Sequence, residues 1–349
     1  MKEIDRCWAI LPQVSRSFAL CIRILPHPIS EQMMLSYLVY RILDTIEDSK
    51  APLDTKKLLF DQFLAVLSAR QDDSEASGKC ARDMLSKLDY TYERELLADT
   101  PTVVGAYFAQ PKAARKYILK WGRVMARGMY EFQKRKIETF EDQNKYSYYV
   151  AGVIGHLFND LLFFNKIITL AIKRKLQRYA VKFGLALQKV NILRDIAHDL
   201  RADRCYWPAA LLSKYGVSSE NICSKEKRAA AMKVLHEQIQ DARDYLYAAM
   251  KYILLLPKKA LRVRMFCLIP LFMAAETYAK CIDNNDVFEE EKAVKIGRLQ
   301  VQEIVAKSGL IGSSNEKLAG WFLETMTRAG PDFVREEYKR SLAVPVPAK

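Results

Sequence analysis

An all-α fold is predicted, and three observations predict it. Half of the 349 residues are hydrophobic, yet there are only 13 glycines and 12 prolines to break regular structure. Apolar residues recur at helical spacing over long stretches, without the period-two alternation of half-buried strands. In the stretch after Ser224, Leu235, Ile239, Ala242, Leu246, Ala249 and Ile253 advance in steps of four and three. That is the buried face of a helix of about 30 residues, which Pro257 ends.

From the N-terminus, Ser15-Arg16-Ser17-Phe18 opens an apolar run, with Ser15 as a helix N-cap or the group as a phosphate grip of two hydroxyls and a guanidinium. A buried helix follows at Met33–Leu43, where Arg41 is the only strongly charged residue, and it runs into Asp44-Thr45-Ile46-Glu47-Asp48. Gln71–Lys79 reads as an exposed loop, as do Asp99–Val104, Arg201–Arg204, Gly216–Ser219 and Asp283–Glu291. Tyr146, Tyr148 and Tyr149 precede the small-residue run Val150-Ala151-Gly152 and read as packing or as aromatics beside a reacting cation. A second apolar stretch, Phe183–Leu193, leads into Asp195-Ile196-Ala197-His198-Asp199. Arg204-Cys205-Tyr206-Trp207-Pro208 reads as a turn leading into a helix. No Gly/Ser linker divides the chain, so residues 1–342 are expected to form one domain and 343–349, with two prolines, a loose tail.

The two acidic clusters carry the chemistry. Helical spacing places Asp44 and Asp48 on one face, about 6 Å apart along the axis, with Glu47 beside them. Asp195 and Asp199 repeat that spacing, and Gln188 and Asn191 extend the stripe upstream. Carboxylates about 4 Å apart repel by roughly 4 kcal/mol at an effective dielectric near 20. A divalent cation removes that cost, and Mg²⁺ suits one or two carboxylates together with water and phosphate. The bland alternative is an ion-pair network using Arg41 and Arg194. There is no G-x-G-x-x-G, no Walker lysine loop and no H-E-x-x-H. His198 lies one residue off the aspartate face.

The seven cysteines include no pair two to four residues apart, which points to reduced thiols in a cytosolic protein. Met1–Ile10 carries both charge signs and no apolar core, unlike a signal peptide. The longest apolar candidate, Met265–Ala275, has 11 residues and contains Pro270, too short for a membrane span. A net charge of +14 suits polyanionic substrates or peripheral contact with an anionic membrane surface. The basic residues are dispersed, which argues against nucleic acid.

Taken in order, Ser15–Phe18, Tyr40–Asp48, Tyr146–Gly155, Gln188–Asp199 and Arg204–Pro208 resemble the squalene/phytoene synthase family of head-to-head prenyl transferases. The resemblance implies a single isoprenoid-synthase helical domain with a central cavity between two Asp-rich helices. It implies two farnesyl diphosphates and Mg²⁺ held by Asp44, Glu47, Asp48, Asp195 and Asp199; a monomer is expected, although the sequence does not fix the oligomeric state. Ser15, Arg16, Ser17, Arg41, Gln188, Asn191, Arg194 and Arg204 match positions lining the diphosphate sites. Phe18 matches a pocket aromatic, and Tyr146 the tyrosine assigned to proton handling and carbocation control. Met265–Ala275 and Asn284–Gln300 look like the region that closes over the cavity and contacts NADPH in the reductive, squalene-forming branch. Lys295 and Arg298 are the basic residues there that the resemblance sets against the NADPH phosphates. Gly297, Arg298 and Leu299 stand where that branch usually shows Arg, Lys and Gly, and His198 stands where the family commonly has glutamate. The rival expectations are the non-reducing dehydrosqualene- and phytoene-forming branch and a silent helical scaffold. The C-terminal anchor of eukaryotic members has no counterpart before Lys349.

Overall fold

The computed structural model describes residues 2–88, 93–330, 334 and 336–342. The tail 343–349 lies outside the described residues. Helices make up the fold, and no strand occurs among the described residues. They are α1 (Glu3–Val14), α2 (Arg16–Ile24), α3 (Ile29–Asp48), α4 (Leu53–Ser68), α5 (Ser74–Lys87), α6 (Arg94–Ala98), α7 (Thr100–Phe108), α8 (Lys112–Phe132) and α9 (Phe140–Ser147). A π-helical turn, Tyr148–Gly152, joins α9 to α10 (Val153–Phe164). Then come α11 (Leu170–Arg194), α12 (Ile196–Arg201), α13 (Ala209–Lys214), α14 (Arg228–Leu255), α15 (Leu261–Cys281), α16 (Arg298–Ile311), α17 (Asn315–Arg328) and α18 (Glu336–Leu342).

Two compact units divide the chain. The first comprises residues 1–135 and 156–173, the second residues 136–155 and 174–349. In the first, α3 is the central element. Its residues from Met33 to Glu47 are buried except Tyr37, Arg41 and Asp44, as expected of a helix that is apolar nearly all round. Helices α1, α2, α4, α7 and α8 pack around it. In the second unit, the 28-residue α14 buries all six residues of the periodic set. It ends at Leu255, and Pro257 follows after Leu256. The π-turn segment lies hard against α11. A Cβ at Gly155 would overlap the carbonyl of Ala180, and one at Gly184 the carbonyl of Ala151. Only glycine permits that approach.

Some loop expectations are corrected. Only the first part of Gln71–Lys79 is irregular: Asp73 accepts the Ala76 N–H at 2.9 Å and starts α5 at Ser74. A Ser/Asp-rich stretch there was a helix start. Asp99–Val104 is the beginning of α7, with Pro101 in its first turn, a position where the missing N–H costs nothing. Asp283–Glu291 contains one 3₁₀ turn, Asn285–Phe288. All seven cysteines are free thiols. No helix among the described residues is long and apolar enough to cross a membrane.

Candidate active site

The first unit carries one group of candidate site residues on the exposed stripe of α3. Tyr37, Arg41, Asp44 and Asp48 are spaced four, three and four apart, and they are the positions between Met33 and Asp48 that escape burial. Ser15 caps α2, its Oγ accepting the Phe18 N–H at 3.2 Å. This is the plain structural role weighed for Ser15. The same turn also reaches α3: the Phe18 ring lies 5.5 Å from the Tyr37 ring. Burial raises the Tyr37 phenol above its ordinary pKa, opposed by a hydrogen bond with Ser15 and the charge of Arg41. Ser15, Phe18, Tyr37, Arg41 and Asp44 therefore form one connected group. Arg16 and Ser17 stand in the exposed first turn of α2.

Arg41 donates to Asp44 and, through Nη2, to Glu93 at 2.5 Å. Burial alone would lower its pKa, but the two carboxylates outweigh burial and hold the guanidinium above its ordinary value. Asp44 keeps 31% of its side chain exposed. Glu47 differs from Asp44 and Asp48, being only 3% exposed. Its backbone carbonyl accepts from Lys56 Nζ at 2.7 Å.

The second unit carries another group. Gln188, Asn191, Arg194, Asp195 and Asp199 reach the surface, whereas Lys189, Val190, Ile192, Leu193 and Ile196 between them are buried. The continuous helix expected through Asp199 is interrupted. α11 stops at Arg194, and Asp195, at φ −102° and ψ 11°, becomes the N-cap position of α12. The helical register survives the break, because Asp195 N–H donates to the Asn191 carbonyl at 2.9 Å and Asp199 N–H to the Asp195 carbonyl at 2.8 Å. Arg194 grips Asp195 with two hydrogen bonds. Burial lowers the Arg194 pKa, but the Asp195 hydrogen bond and charge outweigh it and leave it raised. His198 is 81% exposed, consistent with its place off the stripe.

After α12 the chain turns back through Asp203 at φ +57°, a left-handed conformation that aspartate tolerates better than most residues. This turn brings the Arg204 N–H to the Asp199 carbonyl at 2.9 Å. Tyr206 then stacks face to face on Tyr146, with ring centroids 4.6 Å apart and planes 16° from parallel. Tyr146 is buried at the end of α9, immediately before the π-turn. Single π-turns within helices recur at functional sites. Lys295 and Arg298 are exposed. Lys280 holds the chain on either side of Arg298, its Nζ donating to the Lys295 carbonyl at 3.2 Å and to Gln300 Oε1 at 2.9 Å.

Sequence reading missed Tyr37, Glu93 and Tyr206. Tyr37 and Tyr206 had a signal, the first lying one turn before Arg41 on its stripe and the second inside the Arg204–Pro208 motif. Glu93 had none, being 52 residues from the arginine it binds. Among the described residues, no group of three or more His, Cys, Asp or Glu is arranged to hold a metal. The acidic residues instead offer hard oxygen donors in twos, each set neutralised in part by an arginine.

Both acid–arginine groups are carried by an all-α framework. The sequence matches the squalene/phytoene synthase family over residues 11–300, and the chain belongs to that family. It is 32% identical to a squalene synthase of Schizosaccharomyces pombe over 88% of its own length and 65% of the relative's. The chain thus spans just under two thirds of that relative's length. A solved ligand complex of TcSQS superposes with a TM-score of 0.82 at 28% identity, covering 97% of this chain and 96% of the other. A dehydrosqualene synthase structure shares the fold at a TM-score of 0.63 and 17% identity, covering 89% of this chain and 97% of the other.

Proposed function

We infer that the chain is a squalene synthase acting as one catalytic domain. It joins two farnesyl diphosphates head to head into presqualene diphosphate, with loss of one diphosphate and one proton. It then converts that intermediate to squalene with loss of the second diphosphate and uptake of hydride from NADPH. The observation that carries this reading is the pair of polar stripes that reach solvent: Tyr37–Arg41–Asp44–Asp48 on the otherwise buried second half of α3, and Gln188–Asn191–Asp195–Asp199, with Arg194 beside them, across the junction of α11 and α12.

The residues suit the task. Ionising an allylic diphosphate requires charge neutralisation at the leaving group. Arg41, Arg194 and Arg204 provide fixed positive charge, and the Ser15 and Ser17 hydroxyls, Arg16, Gln188 and Asn191 provide hydrogen-bond donors. The carboxylates fit Mg²⁺ because it binds through one or two carboxylates and takes its other ligands from phosphate and water. Asp44 and Asp48 would hold it on α3, and Asp195 and Asp199 at the start of α12; Glu47, buried beside them, does not share their exposure. Magnesium bound there supplies Lewis-acid neutralisation of the departing diphosphate. The parallel faces of Tyr146 and Tyr206 present π-electron density to a carbocation, and Phe18 adds an aromatic edge. Tyr146, as a buried hydroxyl at the reacting end, takes the proton released in ring closure. Lys295 and Arg298, exposed at the start of α16, suit the phosphates of NADPH, which supplies the hydride. The net charge of +14 suits peripheral contact with an anionic membrane surface.

A second reading, the non-reducing branch, is favoured by one feature. Gly297 and Leu299 flank Arg298 where the reductive branch usually carries a denser basic run. The test of the core reading is diphosphate release from farnesyl diphosphate by Asp48→Asn and Asp195→Asn. Each removes a charge but keeps shape, so each should fold normally and lose nearly all turnover. Wild-type rates at limiting Mg²⁺ in either variant would sink the paired-carboxylate reading.

A further inference from the structure

Lys189 follows Gln188 directly but faces the opposite way, into the second unit, and is 2% exposed. Its ammonium pairs with Asp241 of α14 and donates to Gln143 Oε1 of α9 at 2.8 Å. It also lies 4.9 Å from the Tyr245 ring centre and 5.7 Å from that of Phe140. Gln143 is itself fully buried. Its Nε2 donates to the Tyr206 carbonyl at 2.9 Å and to Gln238 Oε1 at 3.1 Å.

Such a pair is a poor way to gain stability. Desolvation cancels much of the Coulomb gain, and apolar residues filling the same space are often as stable or more so. Burial lowers the Lys189 pKa and raises that of Asp241, each against the pull of the other. What the pair does that leucine or methionine cannot do is orient an amide. The ammonium can only donate, so it claims the Gln143 oxygen and commits the NH₂ group to Tyr206 and Gln238.

The consequence reaches the candidate site by two routes. Tyr146 lies three residues after Gln143 on α9, and its ring stacks on Tyr206. Both rings of the stack therefore hang from Gln143, one through the helix and one through the hydrogen bond to the Tyr206 carbonyl. Arg204 is two residues before Tyr206 and is tied to the Asp199 carbonyl. We propose that Lys189, Asp241 and Gln143 are positioning residues: they hold Tyr206 against Tyr146 and fix the Arg204 turn beside the second aspartate helix. This rests on the reading of Tyr146 and Arg204 as residues of the reacting site.

The test uses the full chain with farnesyl diphosphate and Mg²⁺. Gln143→Glu keeps shape and still accepts from Lys189, but it can no longer donate to Tyr206. Lys189→Met/Asp241→Leu removes both charges together and strands neither. In both proteins the first-step kcat should fall by about tenfold or more, while KM shifts by less than about threefold. The unfolding midpoint should stay within a few degrees, and hydrogen exchange of Arg204–Trp207 should accelerate. A merely structural role predicts the reverse: lower stability, with kcat per folded molecule unchanged. That result, or unchanged exchange at Arg204–Trp207 in both variants, overturns the proposal. Tyr146→Phe is measured alongside. If it keeps the wild-type kcat, the reading of Tyr146 fails, and the exchange result still decides whether the triad positions the turn.

Discussion

Arg194 binds the carboxylate of its own neighbour, Asp195, from two sides, Nε to Oδ1 at 2.6 Å and Nη2 to Oδ2 at 2.5 Å. On the proposed reading a metal ion would use this same carboxylate, so the two cations would compete for it. Arg194→Gln should cut turnover by about 10²–10³-fold, the usual cost of losing a charge-stabilising donor. It should also lower the Mg²⁺ concentration giving half-maximal diphosphate release, because Asp195 is freed. A higher Mg²⁺ requirement in this variant would contradict the competition.

Tyr146→Phe removes one hydroxyl and leaves the stack on Tyr206 in place. Formation of presqualene diphosphate should fall by roughly 10²–10⁴-fold, the range of a general acid–base group. Radiolabelled product analysis of the first step measures it. A loss smaller than about tenfold would return Tyr146 to a packing role.

The basic pair at the start of α16 makes a separate prediction. Lys295→Ala with Arg298→Ala should raise the KM for NADPH and leave presqualene diphosphate formation intact, so the intermediate accumulates. Both side chains are exposed, and the local backbone is held by Lys280 contacts that the substitutions leave in place. An unchanged NADPH dependence would make the segment an ordinary connection between helices.

Much of this was legible in sequence because α3 is so plainly a buried helix. In a stretch as apolar as Met33–Leu43, a lone Arg41 and the following acids can only mark the one face that meets water. The stripe of Asp195 and Asp199 was equally readable, but not the break at Asp195, since both neighbouring segments keep helical hydrogen bonds and no proline or glycine announces it. Glu47 shows the limit of spacing arguments. It sits three residues from Asp44, yet its rotation about the axis carries it into the core. Glu93 and the Lys189–Gln143–Tyr206 chain were out of reach because these contacts join residues 46 to 63 apart in sequence, Arg41 and Glu93 at 52. Local periodicity holds no information about such contacts. The helix starts at Ser74 and Thr100 were hidden for the opposite reason, since capping residues and loop residues are the same types.

Stability should respond to acid through His156. This ring stacks on Trp121 at 4.6 Å, and burial depresses its pKa from the ordinary 6.5, with Asp160 opposing and Lys120 reinforcing. The unfolded chain therefore binds the proton more readily than the folded one. The His156 contribution is intact above 6.5 and is lost as pH falls through that value toward the depressed pKa. Between about pH 7.5 and about pH 5.5, the melting temperature of the wild type should fall further than that of His156→Phe. Equal falls, measured by calorimetry in matched buffers, would remove His156 from the pH response.

The most direct test is to incubate the chain with farnesyl diphosphate and Mg²⁺, with and without NADPH, and identify the hydrocarbon formed. Squalene should form only when both Mg²⁺ and NADPH are present, and presqualene diphosphate should accumulate when the reductant is left out. Dehydrosqualene as the product even in excess NADPH would place the chain in the non-reducing branch, and no diphosphate release under either condition would contradict the enzymatic reading altogether.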